Sequence, residues 1–182
     1  RGNKNTHKLT EMAKIMGESI GKEGSARGLT GWYAPGINTH RSPFGGRDFE
    51  YYSEDPLVSG LTAAAITNGV QKHKGCGTTI KHFAANNQEY NRTQNNSMMS
   101  ERALREIYLK GFEICVKKSQ PKAVMTSYNL LNGTHTSESR ALIEDVLRCE
   151  FGYEGLVMTD WVINGYEAVK DCRYPTAHAP NV

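Results

Sequence analysis

The spacing of apolar residues along the chain predicts helices that alternate with short buried strands. Leu9, Met12, Ala13, Met16 and Ile20 recur at helical spacing and predict the first helix. The same spacing predicts three further helices. The buried face of the second helix is expected to be Leu57, Leu61, Ala64 and Ala65, one face of the third is lined by Leu104, Ile107, Tyr108, Phe112 and Cys115, and the fourth carries Leu142, Ile143, Val146 and Leu147. Runs suited to buried strands lie at 32–35, 78–83, 123–128 and 155–160.

Polar residues and helix breakers mark where these elements begin and end. Ser53 is expected to cap the second helix, with Asp55 near the positive end of the helix dipole and Pro56 in the first turn. Ser100 is expected to cap the third helix, and Gly152 to end the fourth. The stretch 86–97 is too rich in asparagine and glutamine for a core element, so a loop is expected there.

Strands that alternate with helices imply a parallel sheet. Four such units fit a partial (β/α)8 TIM-type barrel, and a doubly wound sheet is the alternative. The chain contains neither GxGxxG nor GxxxxGK[ST], the phosphate-binding sequences usual in doubly wound folds. We therefore expect an α/β fold in which residues 1–182 form part of a barrel.

One carboxylate stands at the end of the last predicted strand. Asp160 follows an apolar run, and the indole of Trp161 comes directly behind it. In parallel α/β barrels, reacting groups collect where the strands end. The alternative is that Asp160 caps the helix that follows, because aspartate is a favoured N-cap residue. On this segment alone the two explanations are equally good.

Lys81 and His82 are neighbours inside the second predicted strand. Adjacent side chains of a strand point to opposite faces, so one of the two would be buried unless it met a ligand or a partner. The alternative is a bulge at the strand end, with Lys81 in solvent and His82 bonded to backbone. Taken alone, the pair favours the bulge.

Other polar side chains also follow the predicted strands. Arg47 comes after the first strand, Tyr128 ends the third, and Glu89 and Arg92 lie in the polar loop. Each has an ordinary explanation, as a surface arginine, a core tyrosine or a solvated charge. Together with Asp160, however, they predict a site for a neutral, polyhydroxylated ligand, since cations bond sugar hydroxyls and an indole offers a flat apolar face.

Composition excludes several classes of protein. The 182 residues carry a formal net charge of +3 with scattered lysines and arginines, so no nucleic-acid partner is expected. No apolar stretch is long enough to cross a bilayer, so no membrane span is expected. Cys76, Cys115, Cys149 and Cys172 form no CxxC pair, and neither a structural metal nor a disulfide framework is expected. They are interpreted as buried free thiols, which favours a reducing compartment, the cytoplasm.

The two ends of the chain suggest a fragment. Arg1 stands in place of an initiator methionine, without a signal peptide. The segment after Arg173 predicts no obvious helix or strand. We expect the chain to be a piece of a longer protein.

Four groups of residues are informative as an ordered set. They are Ala34-Pro35-Gly36-Ile37-Asn38 with Gly46-Arg47 and Ser53-Glu54-Asp55-Pro56; Lys81-His82-Phe83-Ala84-Ala85-Asn86-Asn87-Gln88-Glu89 with Arg92; Met125-Thr126-Ser127-Tyr128-Asn129; and Gly155 to Trp161. By these strings, which cover nearly the whole chain, the protein resembles the barrel domain of glycoside hydrolase family 3. That family comprises β-glucosidases, β-xylosidases and relatives.

The resemblance implies a role for each matching residue. Asp160 matches the catalytic nucleophile and Tyr128 a hydroxyl beside it, Met125 and Trp161 match apolar walls, and Arg47, Lys81, His82 and Arg92 match groups that grip the hydroxyls of the sugar being cleaved. The segment after Ala84 departs from the Gly-His-Gly loop of the family's bacterial N-acetylglucosaminidases. That departure favours a glucosidase-type enzyme.

The implied activity is retaining hydrolysis of a β-glucoside or oligosaccharide, exo-acting and without metal or organic cofactor. The family's acid/base glutamate comes from a second α/β sandwich domain, for which this chain has no candidate region. An aspartate that binds the 4- and 6-hydroxyl side of the sugar is expected before residue 1. The cations Lys81, Arg47 and Arg92 are expected to lower the pKa of Asp160.

Other interpretations stay open at this point. The chain could be a non-catalytic carbohydrate-binding barrel fragment, or part of a β-xylosidase or β-N-acetylglucosaminidase of the same family. A different barrel enzyme that uses Asp160 as a base would need a phosphate or metal site, and the sequence offers none.

Overall fold

The structure, a computed structural model, describes residues 4–161. Its strands in chain order are β1 (Gly31–Trp32), β2 (Gly77–Phe83), β3 (Asn96–Ser97), β4 (Ala123–Thr126), β5 (Leu130–Leu131), β6 (Thr134–His135) and β7 (Leu156–Met158). Its α-helices are α1 (Lys4–Ala26), α2 (Pro56–Gln71), α3 (Glu101–Ala103) and α4 (Lys110–Ser119). A 3₁₀-helix covers Asp48–Glu50, and π-helices cover Leu104–Tyr108 and Ala141–Glu150.

The main sheet is parallel, and its strand order is β1-β2-β4-β7. Each strand therefore pairs with the next main-sheet strand along the chain, and a helical segment lies between them. A strand order that never reverses is what part of a (β/α)8 barrel requires, whereas a doubly wound sheet reverses at a switch point. The predicted α/β fold, a partial (β/α)8 barrel, is confirmed, and all four predicted strands exist.

A second, smaller sheet was not predicted. Strand β5 pairs with β3 in parallel and with β6 in antiparallel orientation. Asn132 and Gly133 join β5 to β6, and both have positive φ angles, 48° and 91°. Asn-Gly between two strands is a strong hairpin signal, because both residues tolerate this backbone conformation. Strand β3 lies in the stretch 86–97, where a loop was expected, and the N–H of Gly133 donates to Oδ1 of Asn96 at 2.8 Å.

The helix ends follow elementary capping rules, with one correction. Ser100 caps α3 as predicted, accepting a hydrogen bond from the N–H of Ala103. Asp55, not Ser53, caps α2, and its Oδ1 accepts from the N–H of Leu57 at 2.8 Å. Ser53 lies two residues before the cap and instead accepts a bond from the N–H of Asp55.

The apolar pattern overstated burial on two helices. Leu57 on α2 is 53% exposed, and Met12 on α1 is 71% exposed. Leu9 and Met16 are exposed as well, whereas Ala13 is buried. The helical spacing was right, but the contact faces are made of smaller residues than the ones that define the apolar pattern.

Helices α1 and α2 approach each other through glycines. A Cβ on Gly17 would lie 2.3 Å from the backbone oxygen of Ile66, and one on Gly69 would lie 2.4 Å from that of Lys14. Both positions are buried. Backbone therefore packs directly against backbone, and α2 is held between α1 and α4 on the outside of the sheet.

The main core lies between the sheet and the helices that follow it. Its fully buried residues include Ile80, Phe83, Phe112, Val124 and Leu147. Within residues 4–161, no helix is both long and apolar enough to span a membrane.

The thiols match the expectation in part. Cys76 and Cys115 are buried and free, and burial raises the pKa of Cys115 to about 11, which makes it unreactive. Cys149 is free but exposed, so the prediction that it would be buried is wrong, because the helix turns this position away from the core. Cys172 lies outside the described residues.

Replacement of Gly17 by alanine is expected to destabilise the intact protein by about 1–3 kcal/mol, because the added methyl would force two backbones apart. Urea unfolding measures the change. Gly31→Ala is the matched control, since a Cβ there meets nothing within 4 Å. Equal stability of the two variants would contradict the packing described for α1 and α2.

Candidate active site

A polar cavity of about 290 Å³ opens at the carboxyl edge of the main sheet. It is lined by Tyr33, Arg47, Lys81, His82, Arg92, Met125, Tyr128, Asp160 and Trp161. The structure thus brings all eight predicted site residues to one place. Tyr33 is an addition that the sequence interpretation missed, although it follows β1 directly.

The parallel strands explain why these side chains meet. Tyr33 follows β1, Tyr128 lies two residues beyond β4, and Asp160 lies two residues beyond β7. Arg47 and Arg92 come from the loops that follow β1 and β2. Because parallel strands all end at the same edge of a sheet, residues far apart in the chain converge there.

Lys81 and His82 both line the cavity, which the alternation rule did not predict. The pairing of β2 with β4 shifts register between Ile80 and Phe83, and the peptide bond between Lys81 and His82 is cis. Lys81 is half-buried and paired rather than in solvent. The predicted irregularity therefore exists, but the solvated lysine does not.

The buried side chain of Asn38 holds the backbone of His82 from both sides. Its Oδ1 accepts from the N–H of His82 at 2.7 Å, and its Nδ2 donates to the carbonyl of His82 at 2.8 Å. These bonds replace ladder contacts where the strand is irregular. Asn38 was not predicted as part of the site, and its place in the Gly36-Ile37-Asn38 string was the only signal.

Asp160 is 7% exposed and presents its two oxygens differently. Its Oδ1 accepts a bond from the N–H of Trp161 at 2.7 Å. Its Oδ2 lies 3.8 Å from Nε2 of His82, beyond hydrogen-bond distance. The helix that Asp160 was alternatively expected to cap falls outside the described residues.

Burial dominates the ionisation of Asp160, so the expectation of a lowered pKa is wrong. Desolvation raises the pKa of Asp160 above the ordinary aspartate value. The N–H of Trp161 and the charges of Arg47, Arg92 and Lys81 act in the opposite direction but do not overcome it. All three cations lie close to other carboxylates as well.

Glu50 and Glu89 are those carboxylates. Glu50 pairs with Arg47 and lies 3.3 Å from Nζ of Lys81. Glu89 pairs with Arg92 at 2.8 Å and lies 3.9 Å from Arg47. The sequence carried a signal for both, since Arg47 with Glu50 and Glu89 with Arg92 are each three residues apart, a spacing that favours contact in helical turns.

His82 is neutral in this environment. Burial, followed by the charges of Arg47, Lys81 and Arg92, lowers the pKa of His82 to about 2. The contact between His82 and Asp160 is therefore not an ion pair. Three cations then face the carboxylates of Asp160, Glu50 and Glu89, and the formal charges cancel.

Aromatic rings form one wall of the cavity. The ring of Tyr33 meets Trp161 edge to face at 6.3 Å between centroids. The hydroxyl of Tyr128 donates to the carbonyl of Trp161 at 2.7 Å, and the guanidinium of Arg92 lies 4.4 Å from the centre of the Tyr128 ring. Trp161 stays 62% exposed, so its face is available to a ligand.

Within the described part of the chain, no three histidine, cysteine or acidic side chains cluster in a way that could hold a metal ion. The cavity instead offers hydrogen-bond donors, one buried carboxylate and a flat indole. This combination suits a neutral, polyhydroxylated molecule.

Comparison with known proteins agrees with this chemistry. Residues 3–179 match the family described as the glycosyl hydrolase family 3 N-terminal domain. The chain therefore belongs to glycosyl hydrolase family 3 and corresponds to its N-terminal domain.

The relatives carry more than one named activity. Beta-glucosidase B of Emericella nidulans is 50% identical over 151 residues, 83% of this chain and 18% of that protein. An exo-alpha-(1->6)-L-arabinopyranosidase of Bifidobacterium longum is 48% identical over 151 residues, 83% of this chain and 20% of that protein. The chain thus spans about a fifth of the length of the curated relatives it matches.

Solved structures show the same fold. The structure of beta-glucosidase 3B from Thermotoga neapolitana in complex with alpha-D-glucose superposes with a TM-score of 0.82 at 51% identity. The match covers 84% of this chain and 21% of that one.

The neutral state of His82 predicts how stability depends on pH. An unfolded histidine takes up a proton below about pH 6.5, whereas folded His82 does not until about pH 2. Above about pH 6.5 this difference in proton uptake does not affect the free energy of unfolding. Below that pH the free energy of unfolding falls progressively, by at most about 1.4 kcal/mol per pH unit. Urea unfolding of the intact protein against pH measures the slope. His82→Gln should flatten the slope, and an unchanged slope would contradict the assignment.

Proposed function

We propose that this chain is part of a retaining β-glycosidase of the β-glucosidase type, with Asp160 as the nucleophile. The observation that carries the proposal is the setting of Asp160. It is a buried carboxylate with one oxygen held by a backbone N–H and the other turned toward a cavity of sugar-binding character. Membership of glycosyl hydrolase family 3 supports the reaction class.

The charge balance of the cavity supports a neutral substrate. A phosphorylated or carboxylated ligand would be attracted by uncompensated cations, but Arg47, Lys81 and Arg92 already meet glutamates. Their remaining N–H groups can still donate to hydroxyls. The exposed face of Trp161 suits the apolar side of a pyranose ring.

The proposed reaction has two steps. Oδ2 of Asp160 attacks the anomeric carbon, and the bond to the leaving oxygen breaks with its electron pair while an acid protonates that oxygen. In the second step the deprotonated acid takes a proton from water, and the water oxygen bonds to the anomeric carbon. The bond between that carbon and Oδ2 of Asp160 breaks and releases the carboxylate. Positive charge develops on the sugar ring in each transition state. Hydrogen bonds to the sugar hydroxyls would strengthen at that point and so lower both barriers.

The acid is proposed to come from outside this chain, from a second α/β sandwich domain. Glu50 and Glu89 are the glutamates beside the cavity among the described residues, and cations bind both of them. Neither is placed to protonate a leaving group. Retaining enzymes hold their two carboxyl groups about 5–5.5 Å apart, so that second domain would dock over the carboxyl edge of the sheet.

Glucose is the proposed sugar, because the relatives named beta-glucosidase and the glucose-bound structures are similar to this chain over most of its length. The arabinopyranosidase relative is almost as similar, so L-arabinopyranose is the alternative sugar. A panel of aryl β-glucosides, β-xylosides, α-L-arabinopyranosides and β-N-acetylglucosaminides assayed with the intact enzyme separates these possibilities. Turnover of none of them would favour a non-catalytic carbohydrate-binding role.

Covalent labelling tests the nucleophile. The intact enzyme incubated with a 2-fluoro-glycoside of the preferred sugar is expected to carry the label on the peptide that contains Asp160, as seen by mass spectrometry after digestion. Asp160→Asn should abolish turnover and labelling but preserve sugar binding. Asp55→Asn is the matched control, since asparagine caps a helix as well as aspartate does. Label on any other peptide would refute the assignment.

The pH profile tests the environment of the nucleophile. Because burial raises the pKa of Asp160, the acid limb of kcat/KM should lie above the ordinary aspartate value of about 3.9. Arg47→Gln removes the strongest of the opposing charges and should move that limb to higher pH. Arg47→Lys keeps the charge and should leave the limb in place. Coincident limbs for all three enzymes would contradict this account.

A further inference from the structure

Tyr51 touches the site from behind, although it does not line the cavity. It follows the 3₁₀-helix Asp48–Glu50 and is buried. Its hydroxyl lies 3.0 Å from Nδ1 of His82, and the two rings meet edge to face. The role of Tyr51 depends on which of these two atoms carries the shared proton.

The neighbouring amide decides that question. Nδ2 of Asn86 lies 3.1 Å from the Tyr51 hydroxyl and 3.1 Å from Oε1 of Glu89. Glu89 is paired with Arg92 and can only accept, so the amide must turn its NH₂ group toward it. Oδ1 of Asn86 has no hydrogen-bond partner among the described residues. The orientation of the amide is therefore set by the two bonds that its NH₂ group donates.

The remaining protons follow from this orientation. Because the Tyr51 oxygen accepts from Asn86, its own proton is free to point at Nδ1 of His82. Nδ1 then accepts, and the single proton of the neutral imidazole must lie on Nε2. Nε2 is the atom that faces Oδ2 of Asp160 at 3.8 Å.

The opposite tautomer is disfavoured at both ends of the ring. A proton on Nδ1 would compete with the Tyr51 proton in the short contact between them. A bare Nε2 would turn its lone pair toward the Asp160 carboxylate in a buried setting, where unfavourable electrostatics are weakly screened. The cavity side and the rear side of His82 therefore require the same proton position.

We propose that Tyr51 is a positioning residue, which fixes His82 in the orientation and tautomer that present an N–H donor to the cavity beside Asp160. The proposal rests on the proposed glycosidase function for its kinetic consequence, since the donor would hold a sugar hydroxyl next to the nucleophile. Its structural content, the proton on Nε2 and the bond to Nδ1, stands independently of any activity.

Spectroscopy tests the structural content. The intact enzyme labelled with ¹⁵N-histidine is expected to show His82 with a protonated Nε2 and a bare, hydrogen-bonded Nδ1, with His82→Gln used to assign the signals. Tyr51→Phe keeps the ring and removes the donor, so the Nδ1 signal should move to that of a free acceptor. Tyr52→Phe is the matched control, because Tyr52 is the neighbouring half-buried tyrosine and packs against the core. A protonated Nδ1 in the unmodified enzyme, or no change in Tyr51→Phe, would overturn the proposal.

Kinetics test the consequence. Tyr51→Phe should lower kcat/KM about tenfold, the effect of roughly one lost hydrogen bond, while Tyr52→Phe should have little effect. In a His82→Gln background, Tyr51→Phe should cost nothing further, because its action passes through His82. If Tyr51→Phe still lowers kcat/KM about tenfold in that background, or if Tyr52→Phe lowers it equally, Tyr51 has only a structural role. If the unmodified enzyme cleaves no glycoside, the proposed function fails, and the ¹⁵N spectra still decide the role of Tyr51.

Discussion

Charge compensation inside a half-buried cavity is the interaction on which the site depends. Cations removed from water are costly unless carboxylates meet them at close range. Glu50 and Glu89 meet Arg47, Lys81 and Arg92, and so hold these long side chains in place before any ligand arrives. The pKa of Asp160 stays raised beside three positive charges because its burial outweighs their effect.

The same network organises the neutral groups. Glu89 orients the amide of Asn86, the amide orients the Tyr51 hydroxyl, and the hydroxyl bonds the ring of His82. Asn38 holds the backbone of His82 at the same time. A chain of polar contacts thus runs from the ion pairs to the donor beside Asp160, and each step is fixed by which atoms can donate.

Much of the fold followed from patterns along the chain, and burial was the property that these patterns predicted least well. The four main strands and the helices between them were predicted because buried strands and amphipathic helices leave different periods. Leu57 was expected to be buried and is exposed, and Met12 of the first apolar pattern is exposed too. Helix contacts depend on which neighbour is present, here the glycines of α1 and α2. The hairpin at Asn132 was missed although Asn-Gly between two short apolar runs is a clear local signal.

Patterns along the chain were enough to predict the alternation of the main strands with helices, and the resemblance carried by its motifs pointed to the family and to the eight site residues. How those side chains act on one another follows from their arrangement in space. The partners of Arg47, the neutral state of His82 and the raised pKa of Asp160 all depend on distances and burial. Burial and Coulomb energies change steeply over a few ångströms, and spacing along a chain does not encode that separation.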